Sequence, residues 1–120
     1  MNHRPEDLAR TLTERTRSRR IAAEKRIDSA RTRVVAALRD RLRDGTVKNA
    51  WLIGSSVWGA PHDRSDIDVV VEGLIADQHG LFWDELSQVA GMDIDLLHLE
   101  DLEPRFRARV LAEGIAIHGR

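Results

Sequence analysis

Cysteine and tyrosine are both missing from this 120-residue chain, and only three prolines and eight glycines interrupt it. Without cysteine, neither a disulfide framework nor a cysteine-based zinc site can form. No apolar run approaches the length needed to span a bilayer, and the N-terminus lacks the apolar centre of a signal peptide. A cytoplasmic protein with no membrane association is therefore expected. At this length a single domain with a real core is expected, without room for a second one.

Net charge is also nearly absent, at −1, but the balance conceals an asymmetry. Residues 1–44 hold 13 Lys+Arg against 7 Asp+Glu, a net of +6, while the remainder holds 6 against 13, a net of −7. This division predicts two parts, a basic N-terminal helical arm over 1–44 and an acidic core over 45–120.

The arm runs from Pro5 to Asp44 without internal proline or glycine, so the sequence predicts one long helix. Pro5 followed by Glu6 and Asp7 suits its start, and Asp44-Gly45 its end. Ile27, Ala30, Val34, Leu38 and Leu42 recur every three to four residues and should pack on the core. Thr13 to Arg20 contains no apolar residue and so cannot bury a face. Arg15, Arg17, Arg19 and Arg20 suit either nucleic acid phosphates or an acidic protein surface. The lack of interleaved aromatics argues against nucleic acid and leaves a protein partner or a solvated helix.

The densest chemistry lies in Trp51 to Gly73, WLIGSSVWGAPHDRSDIDVVVEG. Trp51-Leu52-Ile53 reads as the end of a buried strand broken at Gly54-Ser55, and Val69 to Val71 as the interior of another. Alternation puts Asp66 and Asp68 on one strand face, where two like charges repel unless a cation compensates. Hard oxygen donors of this kind suit Mg²⁺. Gly54-Ser55 supplies a tight turn whose N–H groups and hydroxyl can face a phosphate. Phosphate cradle plus paired carboxylates is the equipment of metal-assisted phosphoryl or nucleotidyl transfer.

Strands are further expected at Val47 to Ile53, Asp66 to Glu72, Met92 to Leu97 and Ile115 to His118. A helix over Leu81 to Ala90 is expected to be organised on Leu81, Glu85 and Val89, with Trp83, Leu86 and Ala90 filling in. A second, Asp101 to Glu113, is expected to be capped by Asp101. Asp93 and Asp95 share a strand face, and spacing alone leaves the choice between them open. His98 is placed on the Asp95 face and His62 in the loop, both as plain polar residues, and Trp58 is read as core packing rather than as a base-stacking platform.

Gly54-Ser55, ten residues, then Asp66-x-Asp68 resembles the signature of the minimal nucleotidyltransferases, within the DNA polymerase beta-like superfamily. Gly59, Ser65 and the Met92 to Leu97 strand extend the likeness over about residues 47 to 118. The resemblance implies an α/β fold, a mixed β-sheet flanked by helices, here with a long N-terminal helix. It implies that Asp66, Asp68 and Asp95 form the catalytic metal site, with Asp95 chosen over Asp93 because it precedes Leu96-Leu97. Gly54, Ser55, Arg64 and Ser65 would bind the nucleoside triphosphate, with Mg²⁺ as cofactor and ATP as donor. Many members carry arginine directly after Gly-Ser, where this chain has Ser56.

The small size further implies that another chain completes the acceptor site. Stand-alone members are typically paired with a HEPN-type toxin and act as its antitoxin, which makes the basic arm a candidate docking element in a homo- or hetero-oligomer. The acceptor hydroxyl would belong to that protein or to RNA. Two other expectations stand beside this one, a catalytically silent module that neutralises a partner by contact, and a nucleic-acid-binding protein acting through its arm.

Overall fold

A computed structural model describes the backbone of residues 5–54 and 67–119 and the side chains from Glu14 onward. A 40-residue helix, α1 (Pro5–Asp44), leads into strand β1 (Asn49–Ile53) and then, beyond residues 55–66, β2 (Ile67–Glu72). A 3₁₀ turn (Ala76–Gln78) precedes helix α2 (His79–Ala90), followed by β3 (Ile94–His98), a second 3₁₀ turn (Leu99–Asp101), helix α3 (Pro104–Glu113) and β4 (Ile115–Ile117). The strands form one mixed sheet in the order β3-β2-β1-β4. β1 pairs antiparallel with both β2 and β4, and β2 pairs parallel with β3. This is the mixed sheet flanked by helices that the sequence implies.

Helices cover the sheet on both faces. Ala30, Val34 and Leu38 of α1 and Phe82 and Leu86 of α2 pack on Leu52, Val69, Val71 and Leu96. On the opposite face Val110 of α3 and Leu99 pack on Trp51, Ile53 and Val70. β2 lies at the centre, and its buried Val69-Val70-Val71 run is what a strand covered on both sides requires.

Polar ties fix the helices to one another. Arg33 donates from Nε to the Val89 carbonyl (2.6 Å) and from Nη2 to that of Ala90 (3.1 Å), satisfying the C-terminal end of α2. Gly91 closes that end in a left-handed conformation at φ +67°. Arg41 grips Glu85 with two hydrogen bonds of 3.1 Å and Asp44 with one of 2.6 Å. Since Arg33 meets the end of α2 and Arg41 its middle, the two helices run antiparallel.

Three expectations fail, each for a physical reason. The buried stripe of α2 is Phe82, Leu86 and Ala90, whereas Leu81 is 76% exposed and Trp83 42%. Both stripes have helical period, and packing against α1 selects the one with phenylalanine. Trp83 instead donates its indole N–H to the Ile94 carbonyl at 2.9 Å. Asp101 caps no helix: Leu99–Asp101 close a 3₁₀ turn and α3 begins at Pro104, whose fixed φ suits a first helical position. Finally, His98 lies three residues from Asp95, an odd spacing that places it on the opposite sheet face. There it sits across from Val71, stacked on His79 (centroids 4.9 Å apart), with His79 Nδ1 and His98 Nε2 sharing a hydrogen bond of 2.7 Å.

Among the described residues, no helix is long and apolar enough to cross a membrane.

Candidate active site

Three strand ends meet at one edge of the sheet. β1 runs into Gly54, β2 begins at Ile67-Asp68, and β3 begins at Ile94-Asp95. Ile53 stands opposite Asp68 in the antiparallel β1–β2 ladder, and Asp68 stands opposite Asp95 in the parallel β2–β3 ladder. Residues opposite one another across neighbouring strands project from the same face, and neighbouring strands are about 4.8 Å apart. Asp68 and Asp95 therefore rise side by side from the face that also carries Val70 and Leu97, the face covered by α3.

Burial distinguishes the two. Asp68 is only 7% exposed and is the buried charged side chain among the described residues, while Asp95 is half-buried. A carboxylate taken out of water is costly unless hydrogen bonds or a positive charge compensate it, and a neighbouring carboxylate adds repulsion. Two in-register carboxylates at a strand-end edge make a hard-oxygen donor set, whose chemistry fits Mg²⁺. No set of three His, Asp or Glu side chains forms a metal-sized cluster among the described residues. The triad expected from the sequence includes Asp66, which lies outside them.

The other expected residues divide in the same way. Gly54 is exposed at the end of β1, beside the carboxylate edge. Ser55, Arg64, Ser65, Trp58 and His62 fall within residues 55–66, outside the described residues. Asp93, the alternative to Asp95, precedes β3 with its side chain exposed, and its carbonyl accepts the Ile67 N–H at 3.3 Å. Asp93 is thus tied into the sheet through its backbone, whereas Asp95 places its side chain beside Asp68.

The sequence pattern of the family described as "Polymerase beta, Nucleotidyltransferase" matches residues 38–120. The chain belongs to this family. The matched span begins within α1 and takes in the whole sheet, both carboxylates and α3. Among solved structures, one described as a minimal nucleotidyltransferase is 29% identical, with a TM-score of 0.57, over 74% of this chain and 93% of its own. A variant of the toxin–antitoxin complex MntA–HpeT is 21% identical, with a TM-score of 0.54, over 72% of this chain and 73% of its own. A toxin–antitoxin structure with AMP-PNP is 24% identical, with a TM-score of 0.53, over 72% and 73% respectively. At those last two identities the likeness is one of fold. Among curated proteins no match was found.

Proposed function

We propose that this nucleotidyltransferase-family chain transfers AMP from ATP to a hydroxyl of a partner protein or RNA, with Mg²⁺ as cofactor. The observation that carries the reading is the in-register pairing of Asp68 with Asp95 beside the Gly54 end of β1. Asp66 and Asp68 would hold Mg²⁺, which supplies charge neutralisation for the phosphates when bound. Ser55 and the Gly54 backbone would hold the β- and γ-phosphates, with Arg64 and Ser65 as further nucleotide-binding residues. Asp95 orients the acceptor hydroxyl and receives its proton as the oxygen bonds to the α-phosphorus. The bond from that phosphorus to the bridging oxygen breaks, and pyrophosphate leaves in line. The half-buried position of Asp95, beside the more deeply buried Asp68, suits a group that must meet a macromolecular acceptor.

The biological setting we propose is that of an antitoxin acting on a HEPN-type toxin. Support comes from the fold likeness to toxin–antitoxin structures, one of them with AMP-PNP. The test is a transfer assay in which the chain, Mg²⁺ and α-labelled ATP are incubated with a neighbouring-gene product or lysate. Label on one species, lost in the Asp66→Ala/Asp68→Ala double variant, is the expected result. No label from any of the four triphosphates, by a chain that still binds its partner, would leave a contact-only neutraliser as the better account.

A further inference from the structure

α1 is one helix whose two halves meet different surroundings. From Ala30 onward it is built into the core, while every residue from Glu14 to Ala22 is exposed. The molecule is accordingly elongated, 64 Å in its longest dimension against 29 and 25 Å in the others. Residues 14–33 carry 8 Lys+Arg against 3 Asp+Glu, a net of +5. Residues 67–119 carry 3 against 11, a net of −8. Neither glycine nor proline interrupts the helix between these charges, so the projecting half cannot fold back on its own core. The complementarity can be satisfied only by another molecule.

Three of the exposed large apolar residues, Ile21, Ile75 and Leu81, fall at matching places. Ile21, 44% exposed, lies on one helical face with Arg17 and Lys25, four residues to either side. At the opposite end of α1, the approach to α2 exposes Ile75 (66%) and Leu81 (76%). Exposed Asp77 and Asp84 lie in the same stretch, with Asp84 one turn on from Leu81. A cavity of about 180 Å³ lined by Thr46, Gln78, Leu81, Phe82 and the paired Arg41 and Glu85 opens there. One surface is a cation–apolar–cation stripe and the other an anion–apolar patch with a socket. Ile21 lies about 35 Å along the helix from Asp44, at about 1.5 Å per residue.

We propose that the projecting half of α1 docks on the Ile75–Asp84 surface of a second copy of this chain. Two copies laid antiparallel engage both arms reciprocally, so the contact closes on itself with two-fold symmetry. Ile21 packs on the exposed Leu81 and Ile75 at the mouth of the cavity, while Arg17 and Lys25 meet Asp77 and Asp84. A nucleic acid would neutralise the arm yet leave the apolar patch and Ile21 exposed; a second copy covers all of them. The dimer is independent of the transfer reaction and is tested without it.

Sedimentation velocity of the full chain gives the readout. A dimer is expected at about 50 mM salt and a constant at least about tenfold weaker at about 500 mM, as screening removes the charge contribution. Arg17→Glu/Lys25→Glu and Asp77→Arg/Asp84→Arg should each yield monomer with unchanged circular dichroism. Combining all four substitutions in one chain should restore the dimer, because the charges are then exchanged but still complementary. A monomer at every salt concentration overturns the proposal. So does a dimer that tolerates the Asp77→Arg/Asp84→Arg pair, or arm reversal that abolishes RNA binding while leaving the association state unchanged.

Discussion

Two faces of one sheet carry opposite duties in this chain. The face toward α1 and α2 is closed, with Val69, Val71, Leu38 and Leu86 all fully buried or nearly so. The face toward α3 is apolar only in part: Trp51, Val70 and Leu97 form one row beneath α3, and the next row carries Asp68 and Asp95 beside Ile53. Both faces come from the same strands by alternation, so the transition from packing to chemistry occurs within β2, between Asp68 and Val70. The difference shows how the fold supports its charges. The closed face holds the strands in register, and that register holds two carboxylates together on the other side.

The comparison predicts distinct failures. Leu86→Ala on the closed face removes a fully buried side chain and should cost about 2–5 kcal/mol of stability. Urea denaturation measures it, and a loss much below that range would mean the α2 interface collapses to refill the space. Asp68→Asn on the other face should leave stability within about 1 kcal/mol of the parent, since the amide keeps the shape of the carboxylate. Under the proposed function nucleotide transfer should fall at least about 100-fold, because the carboxylate proposed to hold Mg²⁺ is weakened as a ligand. Unfolding of Asp68→Asn would instead make that carboxylate structural and erase the distinction between the faces. Asp95→Asn should lower transfer while sparing metal-dependent ATP binding, and equal loss of both would assign it to the metal rather than to the acceptor.

The sequence made the strands of this arrangement legible and left the partnerships between them open. The valine run marks β2 as central, and Asp68 ahead of it marks a charged strand start, because both are local patterns. That Asp68 stands opposite Asp95, 27 residues later, is a property of strand pairing that no local pattern encodes. The resemblance to a family selected Asp95; the geometry places it beside Asp68. The misread residues have similar causes. Leu81 and Phe82 each begin a stripe of helical period, and only the position of α1 decides which is buried. Asp101 resembles a cap in composition, but Pro104 sets the helix start three residues later.

A smaller effect tests how α1 is held against α2. Arg41 and Glu85 form a two-pronged pair, but their side chains are 37% and 33% exposed, so water screens much of the attraction. Arg41→Met should therefore cost under about 1 kcal/mol in thermal unfolding, well below the Leu86→Ala effect. A larger loss would mean that the ion pair, rather than apolar burial, sets the register of the two helices.

The smallest expected effect concerns pH at the end of α1. Asp44 accepts hydrogen bonds from the Thr46 hydroxyl and the Thr46 backbone N–H, and from Arg41 Nη1. These donors, Thr46 foremost, hold its carboxyl below the ordinary aspartate range, while Glu85 and then Asp44 raise the Arg41 guanidinium. A carboxyl whose pKa is lower in the folded chain favours folding fully above its unfolded value, and the contribution fades as pH falls through the folded value. The parent should therefore lose slightly more thermal stability than Asp44→Asn between neutral pH and the acid side of the ordinary aspartate range. Arg41 stays charged throughout that window and adds no slope of its own. Parallel melting curves for parent and variant across the window would show the Thr46 turn to be held by its backbone alone, with the charge on Asp44 contributing nothing to where α1 ends.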